Sequence, residues 1–293
     1  MSSELQTKEL QAKELLIRDI SDTACWAAWY RAHETSREDA VFRDPYALKL
    51  AGSRGAEIAR KVKFSTKHSW SWVARTYLFD HLILEQIGLG VDMVINLACG
   101  LDTRPLRMNL PAHLQWVEVD LPGILDYKEA LLAHEKSECR FERVRLDLAD
   151  VSARRELFAR LGARAKNVLI LSEGLITYFT EDEVKQFARD LAAQPSFQRW
   201  LTDLGTPALI KMLNQKMGKE LAEAGSPLKF GPAQGPRFFE PLGWEPLKAC
   251  SMLHCAERIK RLPWTMRPWA LFPDTKGLKP NQPWSGAVLL GRK

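Results

Sequence analysis

From residue 91 onward, short apolar runs rich in β-forming residues alternate with helical patterns of about ten to fifteen residues, and this cadence limits the possible folds more than any other feature. Strand, helix and strand in repetition build a parallel sheet covered by helices on both faces, because a parallel neighbour can only be reached by a crossover. Five such runs are legible, at residues 91–97, 115–120, 141–146, 167–171 and 199–203. Two further strand-like runs, residues 245–252 and 286–291, have no clear crossover helix between them and predict an antiparallel pair at the sheet edge.

The segments around this core read differently. Residues 1–90 form a helical cap, in which Leu10, Ala12, Leu15 and Leu16 share one face of a polar-backed helix and residues 70–87 form a second periodic stretch. Between them, Asp44-Pro45 and the stretch from Ala51 through Gly52 to Gly55 carry the punctuation of turns and separate short helices. Thr180 and Glu183 are spaced as a capping box, with Val184, Phe187, Ala188 and Leu191 as the buried face of the helix that follows. Residues 206–243 are rich in Gly, Pro and Lys around an amphipathic piece at 212–221 and read as an insertion or lid. The chain is expected to be one domain, with cap 1–90, core 91–205, lid 206–243 and C-terminal edge strands 244–293.

Composition removes several classes of function. The formal net charge of +6 is spread over 293 residues without a block of basic residues, so nucleic acid is not an expected partner. No run of about eighteen apolar residues exists to span a bilayer, and the charged opening from Met1 to Glu9 lacks the apolar centre of a secretory signal; the expectation is a cytoplasmic protein without a membrane partner. Five cysteines without regular spacing are read as reduced thiols. Cys250, His254 and Cys255 have local ligand spacing but no second cluster to complete a zinc site, so no metal is expected. Neither a Gly-x-Ser-x-Gly elbow nor a phosphate-binding Gly-Lys-Ser/Thr loop occurs.

Chemistry concentrates where the strands end. The first strand runs into Ala98-Cys99-Gly100-Leu101-Asp102, where small side chains allow a ligand to approach the backbone at the carboxyl end of the sheet. Tight packing of a strand-to-helix turn would select the same small residues. Asp120 ends the second strand about twenty residues later, the separation at which a carboxylate meets a ribose in nucleotide-binding βαβ units. Its alternative role is to cap the helix after Pro122. Asp147 and Glu173 end the third and fourth strands, so acids recur along one rim. Such a rim suits a cationic, hydroxyl- and amine-rich ligand better than a pyrophosphate, which seeks positive dipoles.

The strings Asn96-Leu97-Ala98-Cys99-Gly100-Leu101-Asp102-Thr103-Arg104, Trp116-Val117-Glu118-Val119-Asp120-Leu121-Pro122, Leu146-Asp147-Leu148 and Ser172-Glu173-Gly174-Leu175-Ile176-Thr177-Tyr178 closely resemble the leucine carboxyl methyltransferase-like family of S-adenosylmethionine-dependent O-methyltransferases. The resemblance runs from about Ser21 to Asp203 and includes Ser21-Asp22-Thr23-Ala24, Asp44-Pro45 and Val73-Ala74-Arg75-Thr76. It implies a Rossmann-like α/β fold with a mainly parallel seven-stranded sheet. It implies S-adenosylmethionine as cofactor and S-adenosylhomocysteine as product. Residue by residue, it places Arg75 on the cofactor's carboxylate, Ala98, Cys99 and Gly100 against the methionine part, Asp120 on the ribose hydroxyls, Asp147 and Leu148 beside the adenine, and Glu173 on the amino group. Asp102, Leu121 and Gly174 complete the expected cofactor-binding set. Ala98 stands where many related enzymes carry glycine, which crowds the backbone approach slightly.

The expected reaction is methyl transfer to a carboxylate or hydroxyl of a small molecule. A carboxylate, with a reference pKa near ~4, needs no base at neutral pH, whereas a phenol near ~10 would benefit from one. Tyr178 is the candidate for contacting the acceptor. The residues alone leave two other readings open. One is a nicotinamide-dependent oxidoreductase, for which the three spaced glycines are missing; the other is a binding protein that keeps the cofactor without transferring methyl groups.

Overall fold

The computed structural model describes residues 20–61, 69–223 and 227–293. Its apolar runs form one seven-stranded sheet in the order β3-β2-β1-β4-β5-β7-β6. Strands β1 (Met93–Leu97), β2 (Gln115–Asp120), β3 (Arg140–Arg145), β4 (Val168–Ser172) and β5 (Phe197–Gly205) pair in parallel. Strand β7 (Ser285–Arg292) lies antiparallel between β5 and β6 (Trp244–Ser251), so the sheet is mixed and β7 alone is reversed. The chain steps outward from β1 to β3 and then returns to the other side of β1 with β4. That reversal opens a crevice at the carboxyl ends of β1 and β4, where sheets of this kind take ligands.

Helices α1 (Ile20–Thr35), α2 (Ala47–Lys61) and α3 (Ser69–Gly88) precede the sheet. The short α4 (Arg104–Arg107) follows β1, α5 (Pro122–Leu132) follows β2, α6 (Val151–Gly162) follows β3, and α7 (Glu181–Ala192) follows β4. Strand side chains alternate between faces, so the buried residues of β1 serve two cores. Met93, Ile95 and Leu97 meet Phe158 of α6 and Phe187 of α7. Val94 turns to the other face with Leu169 and Leu171, against Phe79 and Ile83 of α3. Both arms of the expected capping box are present at the start of α7: the Glu183 N–H donates to Thr180 Oγ1 at 3.3 Å and the Thr180 N–H donates to Glu183 Oε2 at 2.6 Å.

Three features depart from the sequence reading. The expected turn at Gly52 is a kink inside α2, where Gly52 takes φ 57° and ψ −163°, a conformation open to glycine and unfavourable to other residues. The segment read as a lid divides into two parts. Its first part is α8 (Pro207–Glu223), but Phe230, Phe238, Phe239 and Leu242 are buried in the core shared with α6 and α7, and the Lys229 N–H donates to the Thr177 carbonyl at 2.8 Å. Apolar side chains interleaved with Gly and Pro hid this core contribution from composition alone. After β6 comes a short helix, α9 (Met252–Arg258), which packs on α3 without making a parallel crossover. The helix expected around Leu10 to Leu16 lies outside the described residues.

Candidate cofactor site

The loop leaving β1 is shaped by two left-handed residues, Ala98 at φ 51° and Gly100 at φ 51°. Glycine adopts that region freely, whereas alanine pays about 1–2 kcal/mol for it. A Cβ on Gly100 would stand 3.2 Å from the Ala24 methyl group of α1, so this position is tight as well as left-handed. The turn points the Gly100 N–H at Asp120 Oδ2, 2.6 Å away, while the Leu121 N–H donates to Oδ1 at 2.8 Å. Asp120 therefore ties the exits of β1 and β2 together. It does not cap α5, whose first turn has Leu121 at the cap position and no side-chain acceptor. Burial raises the Asp120 pKa against the pull of the Gly100 and Leu121 amides.

Asp102 sits behind this loop in a closed polar network. Its Oδ2 accepts from Asn96 Nδ2 at 2.7 Å and from Arg104 at 2.8 Å, and Oδ1 accepts from the Arg104 N–H at 3.0 Å. Burial alone would raise its pKa, but Arg104, Lys128, Arg107 and Arg31 carry it below the ordinary aspartate value. Arg104 also donates to Asp80 of α3 at 2.7 Å and pairs with Glu173 at 2.9 Å. One buried guanidinium thus joins the exit of β1, the cap and the exit of β4.

Arg75 reaches the same place from α3. It pairs with Glu173 at 2.9 Å, donates to Asp203 Oδ2 at 3.1 Å, and lies 4.7 Å from the ring centre of Trp72. The Glu173 contact lacks the alignment of a hydrogen bond from Arg75 Nε, so it is an ion pair only. Gly174 is left-handed at φ 67° and donates its N–H to Asp203 Oδ1 at 2.7 Å; a Cβ there would meet the Arg75 guanidinium at 3.2 Å. Burial opposes the charge on Arg75, and Glu173 with Asp203 restores it, raising the pKa above that of a free arginine. Tyr178 stands beyond this pair, half-buried, with its pKa raised by burial despite Arg75 and Thr23 nearby. Its phenol keeps its proton at neutral pH.

Beneath the loop, Glu118 of β2 and Lys128 of α5 form a fully buried ion pair at 2.6 Å, with Arg143 on the second carboxylate oxygen at 3.0 Å. Lys128 Nζ is also 4.0 Å from Cys99 Sγ. Burial would discharge Lys128, but the negative charges of Glu118 and Asp102 hold its pKa above the ordinary lysine value. Burial pushes the Cys99 thiol well up, only partly opposed by Lys128, so Cys99 is a neutral floor residue.

Arg75, Ala98, Cys99, Gly100, Asp102, Asp120, Leu121, Glu173, Gly174 and Tyr178 line one cleft of about 140 Å³ at the strand exits. Asp147 and Leu148 do not line it. Asp147 is exposed and accepts the Ala149 N–H at 2.9 Å, and Leu148 is buried in the core. The cleft also contains residues missed in the sequence reading: Thr23, Ala24, Ala27 and Arg31 of α1, Asn96, Arg104 and Ile124. Asp203, the second partner of Arg75, was missed too, although it closes the fifth strand-like run just as Asp120, Asp147 and Glu173 follow their own strands. A wider groove of about 460 Å³ lies between Arg237, Lys248 and Lys276 at the outer sheet edge and shares no residue with the strand exits. Among the described residues, no group of His, Cys, Asp or Glu could hold a metal ion, and no helix is long and apolar enough to cross a membrane.

The fold is that of methyltransferases. It resembles a DUF574 family protein of Streptomyces avermitilis, with a TM-score of 0.52, 17% identity, and 91% of this chain and 97% of that chain covered. A Thermobifida fusca protein provisionally named a methyltransferase superposes with a TM-score of 0.50 and 14% identity, over 96% and 97% of the two chains. In sequence, a Streptomyces avermitilis protein provisionally named an S-adenosyl-L-methionine-dependent methyltransferase is 31% identical over 76% of this chain and 80% of its own length. A Frankia alni protein of the same provisional name is 31% identical over 78% and 84%. Residues 24–192 match the leucine carboxyl methyltransferase family. The chain belongs to that family and is an S-adenosylmethionine-dependent methyltransferase.

Proposed function

We infer that the enzyme transfers the methyl group of S-adenosylmethionine to a carboxylate or hydroxyl oxygen of a small molecule, and that Arg75 and Glu173 bind the two charged ends of the cofactor's amino-acid moiety. The observation that carries this reading is the Arg75–Glu173 ion pair itself, 2.9 Å apart across the cleft. A cation beside an anion is complementary to a zwitterion: its carboxylate matches the guanidinium fork and its ammonium matches Glu173. Pocket volumes for small ligands run from about 300 to 1,000 Å³, more than this cleft offers while Arg75 reaches across it. Replacing the internal pair by the zwitterion would leave every charge matched and widen the cleft.

Asp120 would accept from ribose hydroxyls. Its two oxygens already receive backbone N–H groups, which orient the carboxylate and leave further lone pairs available. Leu121 and Gly100 would bound the same moiety, with Ala98, Cys99 and Asp102 forming the floor. Asp147 stands at the end of β3, joined to the β2 exit by the Leu146 N–H donating to the Asp120 carbonyl at 2.9 Å, and is proposed as the outer acid toward the adenine. When bound, the cofactor supplies an electrophilic methyl group on a sulfonium. The residues around it supply orientation and exclude water, because in-line displacement demands alignment above all.

Tyr178, protonated, would donate a hydrogen bond to an acceptor oxygen and hold it in line. It would not act as a base, so an acceptor already ionised at neutral pH suits the site, and the family's name specifies carboxyl methylation. The test is transfer of isotopically labelled methyl from S-adenosylmethionine to a panel of carboxylic acids, phenols and amines. Label recovered as methanol after mild alkali identifies an ester and supports the reading. Label confined to alkali-stable amines would refute it.

A further inference from the structure

We propose that the segment from Trp264 to Phe272, with its basic flanks, is a docking surface for an anionic lipid bilayer. Trp264, Trp269, Leu271 and Phe272 are 80%, 65%, 86% and 63% exposed, which places four large apolar side chains in water within nine residues. Among the described residues, the other apolar side chains exposed to this degree are Leu48 and Leu89, at 64% and 68%, far from each other in the chain. The segment is held to the protein from behind. Met266 and Ala270 pack against the core that includes α3 and α9, His254 Nε2 lies 2.8 Å from the Phe272 carbonyl, and Asp274 accepts from Trp284 Nε1 at 2.8 Å and from the Ser251 N–H at 3.3 Å. The segment is thus anchored while its Trp, Leu and Phe side chains stay in water, with the Trp269 and Phe272 rings 6.2 Å apart; these are residues that enter the boundary between headgroups and acyl chains.

Charge selects the occupant. Residues 258–279 contain six basic side chains and one acid, so this short segment accounts for most of the net charge of the whole chain. The acid, Asp274, is engaged with Trp284, Ser251 and the Lys276 N–H; of the basic residues, Arg267 pairs with Glu257 at 3.7 Å and Arg261 is turned inward onto Glu34 at 2.8 Å and Asp39 at 3.1 Å, which leaves the lysines as the charge the surface offers. Lys260, Lys276 and Lys279 are exposed and flank the aromatic residues in the chain, within four to seven positions of Trp264 or Phe272. A second copy of the chain would bring like charges together over the patch, whereas phosphate headgroups neutralise them at about 1 kcal/mol for each basic residue near the surface. The anchoring points also fix the location: Ser251 ends β6, and Trp284 precedes β7 where β7 meets the exit of β5. The docking face therefore lies at the sheet end that carries the cleft. This inference is independent of the acceptor assignment and concerns adsorption to a bilayer surface.

The experiment is cosedimentation of the full chain with vesicles of phosphatidylcholine containing about one third phosphatidylglycerol, against phosphatidylcholine alone, at low and high salt. The expected result is binding to the anionic vesicles that weakens with salt. A Leu271→Ser/Phe272→Ser variant should lower the partition coefficient about tenfold or more, with an unchanged melting temperature and unchanged affinity for S-adenosylhomocysteine. Lys276→Glu/Lys279→Glu should lower it on anionic vesicles only. The proposal is overturned if the wild-type chain stays in the supernatant at low salt, or if both variants sediment as it does. It is equally overturned if sedimentation velocity shows a dimer that Leu271→Ser/Phe272→Ser dissolves while vesicle binding is absent.

Discussion

Lys128→Met removes the cation from the pair that supports the floor of the cleft, and its effect can be worked from the geometry. Both members of the pair are wholly excluded from solvent, at 2.6 Å, and Arg143 then remains as the sole cation on Glu118. Removing one partner of such a pair costs about 3–5 kcal/mol, because the remaining charge keeps its desolvation penalty without full compensation. For a chain of this size, each kcal/mol moves the melting temperature by roughly 2 °C, giving a fall of about 6–10 °C by calorimetry or thermal shift. Glu118→Gln should cost a similar amount, since it strands Lys128, while Arg143 keeps Glu129 at 3.6 Å. The double variant should be no worse than the more severe single variant, because neither charge is then stranded. Lys128→Met should also weaken S-adenosylhomocysteine binding, as Lys128 lies 4.0 Å from Cys99 Sγ under the loop that carries Gly100. Singles that each lose less than about 1 kcal/mol, or a double variant that loses their sum, would refute the reasoning.

The remaining expectations concern the same loop. Asp102 titrates below its ordinary value when folded, so its contribution to stability is complete above the unfolded pKa of ~3.9 and is lost as the pH falls below that toward the folded value; urea midpoints for Asp102→Asn should depend less on pH in that acid range than those of the wild type. Cys99 should react with iodoacetamide far more slowly than an ordinary thiol at neutral pH, and mass spectrometry showing rapid Cys99 labelling with loss of cofactor binding would contradict its assignment as a neutral floor residue. Ala98→Gly should raise stability by about 0.5–1 kcal/mol in denaturant unfolding, the relief of a left-handed alanine less the extra entropy of an unfolded glycine, and a lower midpoint would show that Ala98 is not strained.

The parts of the fold readable in the sequence are those whose signals are local. The apolar runs that became β1 to β5 were bracketed by small or polar residues, and the capping box at Thr180 needs only four consecutive positions. The site was half legible for the same reason: Ala98 to Asp102, Asp120, Glu173 and Gly174 each follow a strand within a few residues. What could not be read depends on partners far apart in the chain. Arg31 Nη2 donates to the Leu101 carbonyl at 2.6 Å across 70 positions, and Arg75 meets Asp203 across 128, with no spacing rule to announce either. Arg104 ends the stretch Asn96–Arg104 that carries the family resemblance, yet its part as the link between Asp80, Asp102 and Glu173 exists only once α3 packs beside the sheet. Phe230, Phe238 and Phe239 were hidden by the surrounding Gly and Pro residues, whose turns deliver them to the core.

The decisive measurement is calorimetric binding of S-adenosylhomocysteine and of methylthioadenosine, which lacks the amino-acid moiety, to the wild type and to Arg75→Met. The account predicts that the wild type prefers S-adenosylhomocysteine, and that Arg75→Met weakens it about tenfold or more while leaving methylthioadenosine affinity unchanged. An Arg75→Met enzyme that binds S-adenosylhomocysteine as tightly as the wild type would contradict the assignment of the Arg75–Glu173 pair to the cofactor's charged end.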